Sequence, residues 1–182
     1  MVEAEHLLIQ QAQQGDRQAF SVLVERYWQR LYRWLYHLAH DRHLAEDLAQ
    51  DAFLKAFSGL ATFRTGNRFQ PWLFRIAHNT LVNQKRAARP VLQVFPEDVA
   101  AEEEGPAEAA MTREELQALA RAVGRLPTDF RAAFLLRADE GLSFREIADV
   151  LNTSEETARW RVYKARQKLV EVLAAQEDPE RP

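Results

Sequence analysis

Trp72, Arg75, Asn79, Asn83 and Arg86 follow one another at three- and four-residue steps, which places them along one face of a helix. A ring, two amides and two guanidinium groups on one stripe suit a single strand of DNA. The ring stacks on a base, the amides meet exposed base edges, and the arginines hold phosphates. Bases read in this way must first leave the duplex stack, and nearby aromatics lower that cost. The plainer alternative is that Trp72 packs in a core and the arginines are solvated. A second pattern lies near the C-terminus, where Arg159, Arg161, Tyr163, Lys164, Arg166 and Lys168 surround an apolar stripe of Ala158, Val162, Ala165, Leu169 and Val172. A third is the stripe Glu46, Asp47, Gln50 and Asp51, which also carries Leu54. An acidic stripe is usually just solvated, but an apolar residue among the acids points to a protein partner.

These side chains need helices to hold them, and the chain is patterned for helices almost throughout, with strand signals nearly absent. A short helix is expected from about Ala4 to Gln14, ended by Gly15, and Asp16 can cap the next. That second helix runs to about His40 on a core stripe of Phe20, Leu23, Val24, Tyr27, Leu31, Trp34, Leu35 and Leu38. Trp28, Tyr32 and Tyr36 widen it, so cover from more than one side is expected. A third helix spans about Arg42–Ser58, with Leu44, Leu48, Ala52 and Phe57 expected inward. Pro71 reads as the first residue of a fourth helix, which carries Leu73, Ile76, Ala77 and Thr80 towards a core and reaches about Arg89.

Periodicity then stops. Residues 91–111 hold Pro96, Gly105, Pro106 and a run of acids, and read as a flexible acidic linker. Helices resume at Thr112, whose spacing to Glu115 is that of a capping box. A helix to Arg125 precedes Leu126 and Pro127, another runs to about Glu140, and Gly141 ends it. Ser143 and Glu146 form a second capping box ahead of a short helix, Phe144–Leu151. Asn152 can take the left-handed turn, and Ser154 caps a final helix from Glu155 to about Ala174. A short helix, a three-residue turn and a longer helix make a helix-turn-helix. Its second helix places its N-terminal residues at base edges in the major groove, here Ser154, Glu155, Glu156, Thr157, Arg159 and Trp160. Arg159 can donate to guanine and a glutamate can accept from cytosine, although Glu155 and Glu156 can equally serve the helix N-terminus by charge. Arg161 and Lys164 fit phosphate contacts.

The expected architecture is all-α. A helical domain at 1–90, the linker at 91–111, a helix-turn-helix domain at 112–176 and a short tail at 177–182 follow in order. Charge follows the same division. Residues 1–90 carry 12 Lys/Arg against 8 Asp/Glu, residues 91–120 carry 1 against 8, and residues 121–176 carry 10 against 8. The net charge of −3 therefore hides two mildly basic blocks around an acidic one. No cysteine occurs, which excludes disulfides, thiolate metal sites and cysteine nucleophiles. There is no signal-peptide pattern at the start and no apolar run near the roughly 20 residues needed to span a bilayer. A cytoplasmic protein without membrane insertion is expected.

Taken in order, several segments resemble the extracytoplasmic-function group of RNA polymerase sigma factors. They are Ala45-Glu-Asp-Leu-Ala-Gln-Asp-Ala-Phe53, Phe63-Arg64, Trp72-Leu-Phe-Arg-Ile-Ala-His-Asn-Thr80, Leu126-Pro127, Gly141-Leu-Ser-Phe-Arg-Glu-Ile-Ala148 and Lys164-Ala-Arg166. The resemblance implies that Glu46, Asp47, Gln50, Asp51 and Leu54 dock on the clamp helices of the polymerase beta-prime subunit. It implies that the loop Phe63–Gln70, with Phe63 and Arg64, and the face Trp72, Arg75, Asn79, Asn83 and Arg86 take the −10 element and the opened strand. The helix from Glu155 then matches the −35 reader. Core polymerase and promoter DNA, duplex and single-stranded, are the implied partners. An anti-sigma factor is compatible with the pattern but not specified by it. The chain departs from the family at Asn152, at Glu156-Thr-Ala158 and at Trp160, so the −35 sequence itself does not carry over.

Two other functions are weighed against this one. A helix-turn-helix regulator would bind duplex DNA without polymerase, but needs neither the acidic docking stripe nor the Trp/Arg/Asn face. An enzyme is the second. His37, His40 and His43 invite a metal site, but positions six apart are turned by about 600° on a helix and Asp41 interrupts it. No phosphate loop, Ser/His/Asp set or paired catalytic carboxylate occurs, so no catalytic residue, cofactor or metal is expected.

Overall fold

The computed structural model describes residues 2–64, 66–87 and 113–177. The linker 91–111, the Thr112 cap and most of the tail lie outside the described residues. Eight α-helices occur among the described residues: α1 (Val2–Gln13), α2 (Arg17–Ala39), α3 (Arg42–Gly59), α4 (Phe69–Ala87), α5 (Arg113–Gly124), α6 (Thr128–Ala138), α7 (Phe144–Leu151) and α8 (Glu155–Glu177). A 3₁₀ turn, Leu60–Thr62, continues α3, and no strand occurs among the described residues.

The helix ends follow local chemistry. Asp16 caps α2 by accepting from the Gln18 and Ala19 amides, and Gly15 supplies the positive φ of 97° that turns the chain out of α1. His40 sits in the left-handed region at the end of α2, and Asp41 caps α3 through the Leu44 amide. The break expected at Asp41 is therefore a paired cap, with His40 making the turn. The capping box before α7 is fully formed, with Ser143 and Glu146 each satisfying the other's backbone amide, and Asn152 ends α7 at φ 51°. Pro71 is not the first helical residue as expected. Helix α4 begins at Phe69, and Pro71 is still within the first turn, where a missing N–H costs no intrahelical bond.

Helix α2 is the axis of the first domain. Leu23, Leu31 and Leu35 are fully buried, and α2 lies against α1, α3 and α4. Trp28, Tyr32 and Tyr36 are half-buried on its flanks, in keeping with cover from several sides. Phe69, Leu73 and Phe74 of α4 are also fully buried, and side chains of this size each contribute roughly 1.5–3 kcal/mol through burial. The inward face of α3 differs from the expected one. Ala45, Leu48, Ala49, Ala52, Phe53 and Ala56 form it, whereas Phe57 is 42 % exposed and Leu44 only half-buried. Four alanines on that face let α3 lie close to its neighbours, and Phe57 turns aside to meet Phe20 edge-on at 4.9 Å.

In the second domain α6, α7 and α8 pack around Leu136, Leu142, Ile147 and Val150, all fully buried. Ala158, Val162, Ala165 and Leu169 are the buried stripe of α8, as the spacing predicts. The two domains also touch each other. α2 meets α6 and α4 meets α7, and Trp34 Nε1 donates to the Ala132 carbonyl at 3.4 Å.

Candidate polymerase and nucleic-acid interfaces

Glu46, Asp47, Gln50, Asp51 and Leu54 are all exposed on the side of α3 opposite its alanine-rich core face. Leu54 is 65 % exposed. Three carboxylates and an amide run along the helix to one bare leucine at their C-terminal end, a mix of charge and exposed apolar surface suited to a protein partner. A polar groove between α3 and α4 adjoins it, lined by Asp47, Gln50, Asp51, Lys55, Thr80 and Asn83. Lys55 spans its floor, donating to Thr80 Oγ1 at 3.0 Å.

Along α4 the expected stripe is present. Arg75, Asn79, Asn83 and Arg86 are exposed, and Leu73, Phe74, Ala77 and Leu81 on the other side are buried. Trp72 is different. It is half-buried, with ring centroids of Phe63 and Phe69 at 4.9 and 5.6 Å. Phe63, expected on the DNA face, is 5 % exposed and belongs to this aromatic wedge. It fixes the loop and does not face outward, because a phenyl ring beside Phe69 and Trp72 gains more from burial than from water. Gln13 of α1 reinforces the same corner, donating to the carbonyls of Leu60 and Phe63 at 2.9 and 2.8 Å. Arg64 remains exposed.

On the helix-turn-helix, Ser154 caps α8 through the Thr157 amide, and Glu155, Glu156, Arg159 and Trp160 are exposed, with Thr157, Arg161 and Lys164 half-buried. Arg159 makes two contacts on its own side of the motif. Glu155 holds it at 3.0 Å and it lies over the Phe144 ring at 5.0 Å. Trp160, 51 % exposed, leans on Phe130 of α6 with centroids 5.2 Å apart. Arg161 pairs with Asp129 at 2.9 Å, and Lys164 donates to Gln167, which in turn donates to the Tyr163 hydroxyl. Phe130, Phe144 and Gln167 thus hold the exposed side chains of α8 in place, and sequence reasoning missed all of them. Their signal is faint, since each is a single residue whose partner lies on another helix or one turn away.

The seam between the domains was likewise unforeseen. Glu140, at the end of α6, is 7 % exposed and pairs with Arg30 at 2.7 Å and with Gln70 at 2.6 Å. Glu146 of α7 pairs with Arg68 at 2.7 Å. Further along the seam a crevice between α4 and the start of α6 is lined by Leu38, His78, Leu81, Lys85, Asp129 and Arg161, among others. His37, His40 and His78 stand along this seam. Burial pulls all three below the ordinary histidine value, His40 to about 4, with Arg131 and His37 adding to the effect at His40. Among the described residues no group of three or more His, Asp or Glu side chains is placed to hold a metal ion.

A pH dependence follows. A neutral buried histidine takes up its proton more readily once exposed, so its contribution is present above about 6.5 and is lost as pH falls from there towards 4. Asp139 and Glu140, raised mainly by burial, act in the opposite sense below neutrality. A histidine deletion separates the two. Melting curves of the wild type and of His40→Asn, which keeps a left-handed-tolerant residue at φ 54°, are expected to differ in slope between pH 7 and 5. The variant should be the flatter, and parallel slopes would show that His40 does not report on the fold.

The chain matches the Sigma-70 region 2 family over residues 23–91 and the Sigma-70, region 4 family over residues 116–169. It is 35 % identical to the RNA polymerase sigma-H factor of Pseudomonas aeruginosa over 182 residues, covering 94 % of each chain. It is 33 % identical to the ECF RNA polymerase sigma-E factor of Escherichia coli K12, covering 90 % of this chain and 91 % of that one. Among solved structures, CnrH in complex with the cytosolic domain of CnrY is similar at a TM-score of 0.69 and 30 % identity, covering 94 % of this chain and 98 % of that one. The sigma factor RpoE of Bartonella quintana, in complex with the anti-sigma factor NepR, is similar at 0.69 and 28 %, covering 85 % and 96 %. With the two matched regions falling on the two helical domains, the chain belongs to the ECF RNA polymerase sigma factors, the subunits that direct promoter recognition.

Proposed function

We propose the following division of labour within that role. Glu46, Asp47, Gln50, Asp51 and Leu54 dock on the beta-prime clamp helices of core polymerase. Arg64, Trp72, Arg75, Asn79, Asn83 and Arg86 take the −10 element and the opened strand, with Phe63 as their support. The N-terminal half of α8, from Ser154 to Lys164, reads the −35 element. The chain supplies no catalytic step and acts in the cytoplasm beside the polymerase. An anti-sigma partner, as NepR is for RpoE, belongs to the same reading. No helix among the described residues is long and apolar enough to cross a membrane.

The single observation that carries the division is the two-sidedness of α4. Its Arg75/Asn79/Asn83/Arg86 stripe is exposed, while Leu73, Phe74 and Ala77 on the reverse side are fully buried. Amides and arginines arrayed on a rigid, well-packed helix are poised to meet bases and phosphates without first being ordered.

Run-off transcription on genomic fragments tests the reading as a whole. Purified chain plus core polymerase is expected to give discrete promoter-specific transcripts, and neither component alone to do so. Absence of any specific transcript with active core would overturn it. Within that assay, Asn79→Ala should lower permanganate reactivity of the opened strand by about tenfold while leaving duplex binding by the holoenzyme within about twofold, the loss of one or two polar contacts to a base. Equal losses in both measurements would remove Asn79 from the strand-opening face.

A further inference from the structure

Trp160 lies on the outward side of α8. At roughly 100° per residue it stands within about 40° of the point opposite Ala158, Val162, Ala165 and Leu169, the residues that α8 buries. It is 51 % exposed, although an indole gains much from burial. Glu156 and Lys164, one turn before it and one turn after, share this side and end in charges. Trp160 is therefore an apolar surface set between two ionic ones.

The ring is held there from α6. Its centroid is 5.2 Å from that of Phe130, and Lys168 Nζ lies 5.7 Å from the centre of the same phenyl ring. The neighbouring pair, Arg161 and Asp129, closes at 2.9 Å. Successive residues of α8 are thus tied to successive residues of α6, Trp160 to Phe130 and Arg161 to Asp129. A wide side chain fixed in this way has little rotamer freedom left to lose on binding.

Base pairs line the major groove with donors and acceptors and with one apolar group, the 5-methyl of thymine. Charged and amide side chains suit the former. The carbon edge of an indole suits the methyl, because against any other base edge it would strip water from polar groups without replacing it. Trp160 is also a position at which the chain departs from the family pattern, so the base it meets is set by this chain's own side chain. We propose, resting on the reading of α8 as the −35 helix, that Trp160 selects a thymine in the −35 element by packing against its 5-methyl group. The helix then reads one base through apolar contact beside those it reads through hydrogen bonds.

The test uses holoenzyme assembled from core polymerase and the full chain, either wild type or Trp160→Ala. Each holoenzyme selects duplexes from a pool of random sequence. Within motifs that are otherwise shared, the wild type is expected to enrich a thymine at a position where the variant shows no preference. Deoxyuridine in place of that thymine removes the methyl group alone. Wild-type holoenzyme should then bind the selected duplex about fourfold more weakly, the worth of burying one methyl group. Trp160→Ala holoenzyme should bind the two duplexes alike. The salt dependence should be the same for both duplexes, because no phosphate contact is lost. Equal binding of the two duplexes by the wild type overturns the proposal, and so does a loss that persists in Trp160→Ala. Should that variant melt below the assay temperature, Trp160→Gln, which keeps a long side chain without an apolar edge, decides by the same outcomes. Failure of both holoenzymes to enrich any −35 motif sinks the reading of α8 and the proposal with it. A −35 motif enriched identically by both sinks the proposal and spares that reading.

Discussion

Core polymerase is expected to bind the Asp47→Arg and Asp51→Arg variants about 30- to 100-fold more weakly than the wild type. Both carboxylates are exposed on the α3 stripe, so neither substitution disturbs packing and neither leaves a buried charge. The loss comes from the interface, where a cation replaces an anion opposite a complementary surface. Such a like-charge juxtaposition costs about 2–3 kcal/mol, the free energy that this factor represents. Electrostatic attraction should also fall in the association rate, more so at low salt. Far-UV circular dichroism and melting temperature should match the wild type within a few degrees. The measurement is competition for core against the unmodified chain, and normal competition by both variants would mean that the acidic stripe is a solvated surface and docking lies elsewhere.

Phe74→Ala is expected to have the largest effect on stability, at about 3–5 kcal/mol. Phe74 is fully buried and its ring lies 5.3 Å from that of Trp34, whose indole N–H in turn reaches Ala132 of the second domain. Removing the ring leaves a void beside the residue that links the domains. For domains of this size a loss of that order lowers the melting temperature by about 15 °C or more. Tryptophan emission should shift to longer wavelength before the main transition, because Trp34 loses a wall of its site. A melting temperature within a few degrees of the wild type would show that the α2/α4 core repacks around the gap. The exposed stripe of α4 depends on that core for its rigidity, so transcription should fall together with stability.

Much of this was legible along the chain because helices are local. Capping at Asp16, Ser143 and Ser154 involves residues two or three positions apart, and each of these caps formed. The buried stripe of α8 and the exposed stripes of α3 and α4 follow from a period of 3.6. Phe57 was misplaced for a related reason: at a helix end the stripe alone does not show how far the partner helix extends, and α3 packs through its alanines with Leu48 and Phe53, not through Phe57. Phe63 was misplaced because a loop has no period, and only contact with Phe69 and Trp72 shows that it is held inside.

The amino-acid order by itself determined the helices, their caps, the division into two domains and the residues offered on each outward face, since all of these depend on neighbours a few positions apart. Tertiary structure alone decided which of those residues are free to act. Arg159 lies over the Phe144 ring of α7, Trp160 rests on Phe130, and Arg30, Arg68 and Gln70 are taken by Glu140 and Glu146. For the seam pairs the partners lie between 70 and 110 positions apart, a separation over which no helical period or cap carries information. Their meeting is fixed by how the two domains close on each other.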